Sequence, residues 1–376
     1  MSLLGVRLSL LIGKTVPVPP PLRVTEALES VQVTHKDKGC SGFQMTFAIG
    51  RLGPIDLLDH AILSRVKANM RVIMTVMFGG IPRVLSDGII TQVELQPGDK
   101  PGNTRLQVTG EDVSCAMTMK EEIEQHVMLP EALIVYKICA KYAKYGLVPV
   151  VIPPLLIDPP LLTDRIPVQR ATDLWYLKAL ASRFGYVFYI SPGPVPGLNQ
   201  AYWGPPKWLG LPQRALTVNM DPFTNVQKFD VSIDSQKAAK VSGSVQDGKT
   251  NKKMPVESLS SMRPPLAVER PTPTTMKTVL PSPCSGLTAQ QAKSRAQGVT
   301  DASFDSIVKA RGMLDTIRYN DLLQPRKLVG VRGAGLQFDG LYYVTQVTHQ
   351  IKRGSYVQNF ELEREGLGSL LPILRP

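Results

Sequence analysis

The stretch LQFDGLYYVTQVTHQIKRGSYVQNFELE, residues 336–363, decides how this chain folds. Apolar and polar residues alternate along its first half, so that one side carries Leu341, Tyr343, Val347 and Ile351. The turn sequence Lys-Arg-Gly-Ser follows, and the alternation resumes at Tyr356 and continues through Phe360 and Leu362. A period of two predicts an antiparallel hairpin with one buried face, because a helix would scatter these apolar positions around its circumference.

An earlier stretch of the chain has a sequence pattern similar to that of this hairpin. Residues 86–93 read SDGIITQV, and a Pro-Gly-Asp turn separates them from a second strand at 105–109. Both stretches read Asp-Gly, then apolar residues, then Thr-Gln-Val, and their spacing differs by two residues, which leaves each side chain on its own face. The Asp-Gly pair at 87–88 is also a signal for a tight turn. The similarity predicts an internal duplication of a β-unit, although two hairpins can share such short motifs by chance.

The composition is that of a globular chain with a basic excess. Its 376 residues, 43% of them hydrophobic, suffice for two or three cores, and no window is apolar enough to predict a membrane span. The four cysteines, Cys40, Cys115, Cys139 and Cys284, are scattered, which favours free thiols over a metal site or disulfides. The formal charge of +12 predicts acidic partners, either nucleic acid or acidic protein, without deciding between them.

The succession of patterns predicts an α+β fold that is mainly β, with two small antiparallel β-barrel-like domains. We assign residues 1–27 to an N-terminal strand and a proline-rich connector, 28–114 to the first β-barrel domain, 115–224 to a helical and mixed domain, and 225–376 to the second β-barrel domain. Residues 241–326 are rich in Ser, Thr, Pro, Lys and Gln, which predicts a flexible insertion within the second domain.

Two helices are expected in the helical and mixed domain. The first covers residues 131–145 and is largely buried, with lysines along one exposed stripe. The second starts at a cap formed by Thr172 or Asp173 and ends at Gly185, and residues 186–190 then form a strand.

Residues 191–212 form a predicted loop in which aromatic residues alternate with prolines. Such rings either bind a ligand or anchor the loop to protein, and we favour anchoring or a subunit contact. Residues 241–300 carry eight Lys and Arg against three Asp and Glu, so the insertion is a second candidate surface. The candidate protein-interface residues from the two segments are Tyr202, Trp203, Lys207, Trp208, Lys252, Lys253, Arg263 and Arg270.

No set of residues has the spacing of a catalytic, cofactor-binding or metal-binding site, and we assign none. The motif GCSG at 39–42 lacks the second glycine that a nucleophile elbow needs, because Phe43 follows it. The motif GAG at 333–335 precedes a hairpin rather than a helix whose N-terminus would hold a phosphate. His349 falls on the buried face of the last hairpin, where we expect a core histidine.

Short motifs add a resemblance to a known family. The chain is predicted to run from a first barrel through a helical insert to a second barrel. It also contains an F-x-G-x-Y-x-V-type strand at 338–344 and the closing motif L-x-R-E-G at 362–366. This combination resembles the phage late control protein D family, which are the baseplate hub proteins of contractile tails and the front half of the type VI secretion spike protein. Residues 202–206 and the opening Ile12-Gly13 with its Pro-Val-Pro-Pro-Pro tract are most similar to hubs of phage-tail-like contractile injection systems.

The resemblance implies a homotrimer in which each subunit contributes two similar barrels. Six barrels would form a pseudo-sixfold ring, which adapts a threefold spike to a sixfold inner tube. It also implies a protein without enzymatic activity or cofactor, made in the bacterial cytoplasm and built into a tail or injection particle. The expected partners are the inner tube protein, a baseplate component that the insertion 241–326 wraps, and a separate spike protein. The spike protein is expected to be separate because spike-fused relatives continue beyond the second barrel.

Two other classes of function remain open at this stage. Charge and β-content favour a nucleic-acid-binding barrel, which would place aromatic residues among Lys and Arg on one strand face. A tail-associated cell-wall hydrolase is the other alternative, and a pair of carboxylates that meet in space would serve it.

Overall fold

The computed structural model describes residues 2–3, 6–14, 16–49, 66–99, 103–154, 166–247, 251–270, 275–277 and 289–370. The backbone in these ranges is mainly β with a smaller helical part, which confirms the predicted fold class. The first part of the chain contains β1 (Ser2–Leu3), β2 (Val6–Gly13), α1 (Leu22–Glu26), β3 (Leu28–Lys36), β4 (Gly42–Ile49), β5 (Arg71–Phe78), β6 (Ile81–Gln96) and β7 (Thr104–Asp112).

The middle part carries the helices that follow the first strands. Its elements are β8 (Glu121–Gln125), α2 (Glu131–Ala140), β9 (Leu147–Val151), β10 (Val168–Thr172), α3 (Asp173–Arg183), β11 (Val187–Pro192), β12 (Asn199–Gly204) and β13 (Gln213–Thr217). The Thr172 hydroxyl accepts a hydrogen bond from the backbone N–H of Trp175, so the predicted cap of the second helix is confirmed. The first helix is shorter than predicted, because the chain turns through Ala143–Tyr145 to Gly146 in the left-handed region.

The last part returns to β-structure. Its elements are β14 (Val226–Ile233), β15 (Ala239–Gln246), β16 (Lys253–Glu257), β17 (Ala267–Glu269), β18 (Thr275–Lys277), α4 (Ala289–Phe304), β19 (Val308–Asp315), α5 (Thr316–Tyr319), β20 (Leu328–Arg332), β21 (Gly340–Lys352), β22 (Ser355–Arg364) and β23 (Leu367–Ser369). The hairpin β21–β22 is the one that the opening sequence pattern predicts.

One large sheet contains the strands of both β-regions. Its order is β1-β2-β5-β6-β7-β4-β3-β21-β22-β19-β14, and β20 adds to β21 and carries β13 at its other side. The two β-regions are joined within this sheet, since β3 of the first pairs directly with β21 of the second. We call β3–β7 the first β-unit, and β14 with β19–β22 the second β-unit.

The two β-units repeat one topology. Five strands lie in the order β5-β6-β7-β4-β3 in the first unit and β20-β21-β22-β19-β14 in the second, and all neighbours are antiparallel. A β-bulge falls at the threonine of each Thr-Gln-Val motif, Thr91 and Thr345. A second pair of bulges falls at Glu29 in β3 and Gln227 in β14. The internal duplication predicted from the sequence is confirmed.

The bulge at Thr345 corrects the predicted faces of the last hairpin. Strict alternation placed Tyr343 with Val347, whereas the extra residue reverses the parity, so that Tyr342 and Val344 share the second core with Val347. The ring of Tyr343 instead packs on the other side of the strand, against Trp208.

Asp87 and Gly88 lie inside strand β6, so the tight turn predicted at this Asp-Gly pair is wrong. The Asp87 carboxylate is buried and accepts two hydrogen bonds of 2.7 Å from the guanidinium of Arg71. A Cβ at Gly88 would lie 2.2 Å from the backbone oxygen of Glu111, so glycine serves close strand approach here rather than a turn.

Each β-unit and the helical domain has its own core. The first core is closed by Ile351 and Tyr356 from the tip of the β21–β22 hairpin, so the second unit contributes to it directly. The second core is formed by residues of strands β19, β20, β21 and β22 and of the segment before β20, around Phe360 and Tyr319. The third packs α2 and α3 on β11 and β12 around Trp203.

The region predicted as a flexible insertion contains regular structure. Strands β15 and β16 form a hairpin, and α4 covers it through Ala292 and Ala296. Strand β19 also falls within residues 241–326, yet it lies between β14 and β22 in the large sheet. Its inward residues include Ala310 and Gly312, whose low hydrophobicity makes the strand hard to recognise in the sequence. A larger side chain at position 312 would meet the Phe360 ring, which lies over Gly312.

Candidate assembly surface

The junction between the two β-units is a seam of paired strands. Strands β3 and β21 are antiparallel, in a register that runs from Gln346 opposite Lys36 to Lys352 opposite Ser30. On one face the hydroxyl groups of Thr34 and Thr348 lie 3.1 Å apart. The seam therefore joins the units through both backbone pairing and side-chain contacts.

The other face of the seam carries a buried pair of histidines. The rings of His35 and His349 meet edge to face with centroids 5.9 Å apart, and a hydrogen bond of 3.0 Å joins the Tyr356 hydroxyl and His349 Nδ1. Burial and the nearby Arg326 lower the pKa of His35 to about 4, and burial with His35 lowers the pKa of His349. Both rings are neutral at pH 7, and the prediction of a core histidine at position 349 is confirmed.

The repeat defines which residues of the two units correspond. Aligning the Thr-Gln-Val motifs superposes β6 on β21 and β7 on β22, and the strand ladders then superpose β4 on β19 and β3 on β14. Within this alignment His35 of β3 corresponds to Ile233 of β14. His349 of β21 corresponds to Leu95 of β6.

The two strands that correspond to the seam strands have unpaired edges. Among the strands that the structure describes, none lies beyond β14 in the sheet, and none pairs with the second edge of β6 over residues 92–96. Leu95 is 52% exposed and Ile233 is 48% exposed, although both stand where the seam buries a histidine. Unpaired edges and exposed apolar side chains are features of a surface that another chain covers.

The outward-facing positions of the strands β6, β7, β4, β3, β21, β22, β19 and β14 carry charges of both signs. The basic residues at these positions include Lys36, Arg105, Lys228, Lys309, Arg311 and Lys352, and the acidic residues include Glu29, Glu94, Glu111, Asp230, Asp315, Glu361 and Glu363. Arg311 pairs with Glu361 across 3.1 Å, and Lys309 pairs with Glu363 across 3.2 Å. The aromatic residue Tyr343 stands on this outward face opposite Glu363, and its ring is buried against Trp208.

The three aromatic rings among the sequence-predicted interface residues are buried within the chain. Tyr202 and Trp203 belong to strand β12, so the predicted loop 191–212 is interrupted by a strand. Trp208 stacks on Tyr343 with ring centroids 5.7 Å apart. The rings anchor their segment to the body of the protein, as the favoured interpretation of the loop expects.

The five basic residues of that set lie in different places. The Lys207 ammonium lies 4.4 Å from the centre of the Tyr202 ring, and its residue is exposed. Lys252 and Lys253 are exposed at the β15–β16 hairpin. Arg263 pairs with the buried Asp305 across 2.7 Å, and Arg270 lies 3.5 Å from Glu365, so these two hold segments of the chain together.

Sequence analysis missed the two exposed apolar residues at the free edges, Leu95 and Ile233. Each sits at the end of an alternating strand, where an apolar residue is the expected core position. The signal that identifies them is the repeat itself, because each corresponds to a member of the histidine pair that is buried at the seam.

Similarity to solved structures was found along nearly the whole chain, whereas no protein-family model and no curated protein matches the sequence. A tail protein from Neisseria meningitidis superposes with a TM-score of 0.64, at 13% identity, over 97% of this chain and 98% of that protein. The chain has the fold of phage tail proteins. A 43 kDa tail protein of prophage MuSo2 from Shewanella oneidensis gives a TM-score of 0.62 at 13% identity, over 95% of this chain and 98% of its own.

The fold also extends to secretion machinery. An E. coli component of the type VI secretion system, which exhibits structural similarity to T4 bacteriophage tail proteins, superposes with a TM-score of 0.54 at 14% identity. The match covers 93% of this chain and 77% of that one. The resemblance to a baseplate hub-like family is thus confirmed at the level of the fold.

No helix within the described ranges is long and apolar enough to cross a membrane. The same ranges contain no group of three His, Cys, Asp or Glu side chains arranged to hold a metal ion. The Ser41 of the GCSG motif is buried, and its backbone N–H donates to the Asp112 carboxylate, so this loop serves packing between β4 and β7.

Proposed function

We propose that this chain is the structural hub of a contractile tail or injection machine. Three copies form a ring that adapts a threefold spike to a sixfold inner tube. The observation that carries the proposal is the seam, because one chain already contains two similar units joined edge to edge and leaves the matching edges of both units free. Repeating that joint between copies closes a ring in which the similar units alternate.

The joint between copies follows from the alignment of the repeats. Strand β14 of one copy pairs with residues 92–96 of β6 in the next, as β3 pairs with β21 within the chain. Glu94 then lies opposite Ser232, where the seam has Thr348 opposite Thr34. Leu95 and Ile233 pack together in place of the histidine pair. This pairing forms hydrogen bonds with the unpaired backbone groups and also buries the exposed apolar surface.

The partners of the ring follow from its symmetry. A separate spike protein binds the threefold features of the ring, and the inner tube protein stacks on its sixfold arrangement of β-units. Lys207, Lys252 and Lys253 are exposed and remain predicted contacts for a further baseplate component. The fold shared with tail and type VI secretion proteins supports a place for the chain in an assembled particle. Synthesis in the bacterial cytoplasm belongs to the same proposal.

The alternative of a nucleic-acid-binding barrel lacks support from the sheet. Binding of single strands needs open aromatic platforms beside cations, whereas the outward strand positions carry charges of both signs and their Tyr343 ring is covered by Trp208. No observation favours the cell-wall hydrolase over the hub, and the hub is a protein without enzymatic activity.

The mass of the native assembly tests this proposal. We expect wild-type protein to give a trimer by native mass spectrometry, alone or mixed with its spike protein, and Ile233→Lys to give monomers, because a charge at the joint cannot be buried unpaired. Leu211→Lys is the matched control, since Leu211 is 94% exposed in the loop before β13. A wild type that stays monomeric with and without the spike, or a trimer that Ile233→Lys leaves intact, contradicts the proposal.

A further inference from the structure

A cavity of about 660 Å³ opens where the two β-units meet the helical domain. Its walls come from the start of β6, from the β11–β12 turn and from the loop before β20, and the seam histidines form part of its floor. Four cationic side chains, Arg83, Lys207, Arg326 and Lys327, line it, and no Asp or Glu does so among the described residues.

The cations of this cavity are unequally neutralised. Arg83 has Asp321 at 3.7 Å, and Arg326 has Asp37 at 3.7 Å. In the described part of the chain no acidic side chain lies within ion-pair distance of Lys207 or Lys327. Burial, together with the positive charges of Lys327 and Arg326, lowers the pKa of Lys207. The cavity therefore holds a positive potential that the chain itself leaves uncompensated.

Arg326 is held rigidly at the centre of this group. Its guanidinium lies 3.8 Å from the centre of the Tyr189 ring and donates a hydrogen bond to the backbone oxygen of Lys36. Its backbone adopts φ +63°, in the left-handed region that non-glycine residues rarely enter. The backbone N–H of Arg326 donates a hydrogen bond to the backbone oxygen of Val344. Such strain concentrates at binding sites, where neighbouring structure fixes the residue in advance.

The rest of the wall decides which class of anion fits. It is aliphatic and proline-rich, with Ile81, Leu85, Leu322 and Pro325 beside the amides of Gln200 and Gln324. The Tyr189 ring, which could have stacked on a base, is covered by Arg326. Nucleic-acid sites rely on open aromatic faces, whereas apolar walls with a few convergent cations and amides suit a peptide.

We propose that this cavity binds an acidic peptide segment of a partner protein. Carboxylates of the segment pair with Lys207 and Lys327 at the mouth, and aliphatic side chains of the same segment pack on the proline-rich wall. The charge of the chain, +12, draws such a partner toward the site. The proposal does not depend on the trimer, because every wall of the cavity belongs to one chain.

The test uses the full-length chain and a fluorescein-labelled hexapeptide of alternating glutamate and leucine, followed by fluorescence anisotropy. We expect saturable binding that the double variant Lys207→Gln with Lys327→Gln weakens by about tenfold, because it removes both cations that pair with the carboxylates of the peptide. The matched control, Lys252→Gln with Lys253→Gln, removes the same charge elsewhere and should bind as wild type does. A peptide with glutamine in place of glutamate should fail to bind.

Three results would overturn the proposal. The first is the absence of saturable binding by the glutamate–leucine peptide, and the second is equal weakening by both double variants, which would mean non-specific attraction. The third is tighter binding of a labelled oligothymidylate that Lys207→Gln with Lys327→Gln abolishes, which would assign the cavity to nucleic acid. Inorganic phosphate, added as competitor, should displace the peptide only weakly, because it lacks the aliphatic contacts.

Discussion

Arg71 and Asp87 form the contact that fixes the first β-unit on the helical domain. Beyond its two bonds to Asp87, the Arg71 guanidinium donates to the backbone oxygens of Tyr145 at 2.9 Å and Gly197 at 3.1 Å. Asn199 donates to the same carboxylate at 2.9 Å. Sequence analysis could not find this cluster, because an Asp-Gly pair is a common turn signal and nothing in the local pattern names the distant partners of Asp87.

Removing one member of this ion pair should destabilise the contact between the first β-unit and the helical domain. We expect Asp87→Leu to lower the free energy of unfolding by about 3–5 kcal/mol, because it leaves the Arg71 charge buried and unpaired. The double variant Arg71→Met with Asp87→Leu should lose clearly less than the sum of the single variants. Urea titrations of the four proteins measure this cycle, and additive losses would show that the pair is not coupled.

The seam histidines should make stability depend on pH. Between pH 6.5 and about 4 the unfolded chain binds protons at its histidines while His35 stays neutral in the fold, so stability falls as pH falls through this window. We expect His35→Gln to lose less stability than wild type between pH 7 and pH 4.5, by at most about 3 kcal/mol. Denaturant unfolding at both pH values gives this difference, and identical losses in the two proteins would contradict the assigned role of His35.

At the scale of elements, each Thr-Gln-Val motif marks a bulge rather than a plain strand. The Thr91 hydroxyl donates to the backbone oxygen of Thr109 at 3.2 Å, and the Thr345 hydroxyl donates to that of Glu361 at 3.1 Å. The sequence predicted the hairpins from their alternation and the duplication from the shared motif. It could not predict the bulges, because an inserted residue leaves the composition of a strand unchanged and alters only the parity of its faces.

The two bulge threonines should contribute unequally. We expect Thr345→Val to lower the free energy of unfolding by about 1 kcal/mol, since it removes a partly buried hydrogen bond without changing the shape of the side chain. Thr91→Val should cost less, because its bond is exposed to water, which replaces the lost partner. Thermal or urea unfolding of both variants tests the order, and a larger loss for Thr91→Val would contradict it.

At the scale of the whole molecule, two copies of one topology form a single sheet. The order of β-strands, helices and β-strands could be predicted from local patterns and from the family resemblance. The seam could not, because it pairs residues as far apart in the chain as Thr34 and Thr348, which are separated by 314 positions. The candidate interface residues were likewise drawn from loop aromatics and basic residues, whereas the free edges emerge only once the seam and the repeat are seen together.

The proposed joint between copies has a defined register, and a disulfide across it tests the central claim most directly. The seam places the hydroxyls of Thr34 and Thr348 in contact, and the corresponding residues at the free edges are Ser232 and Glu94. We expect Glu94→Cys with Ser232→Cys to form intermolecular disulfides under mild oxidation, giving covalent dimers and trimers and nothing larger on a non-reducing gel. Gln96→Cys with Ser232→Cys, shifted by two residues, should crosslink poorly. Equal crosslinking of both pairs, a ladder that continues beyond trimers, or no intermolecular product from the first pair would contradict the account.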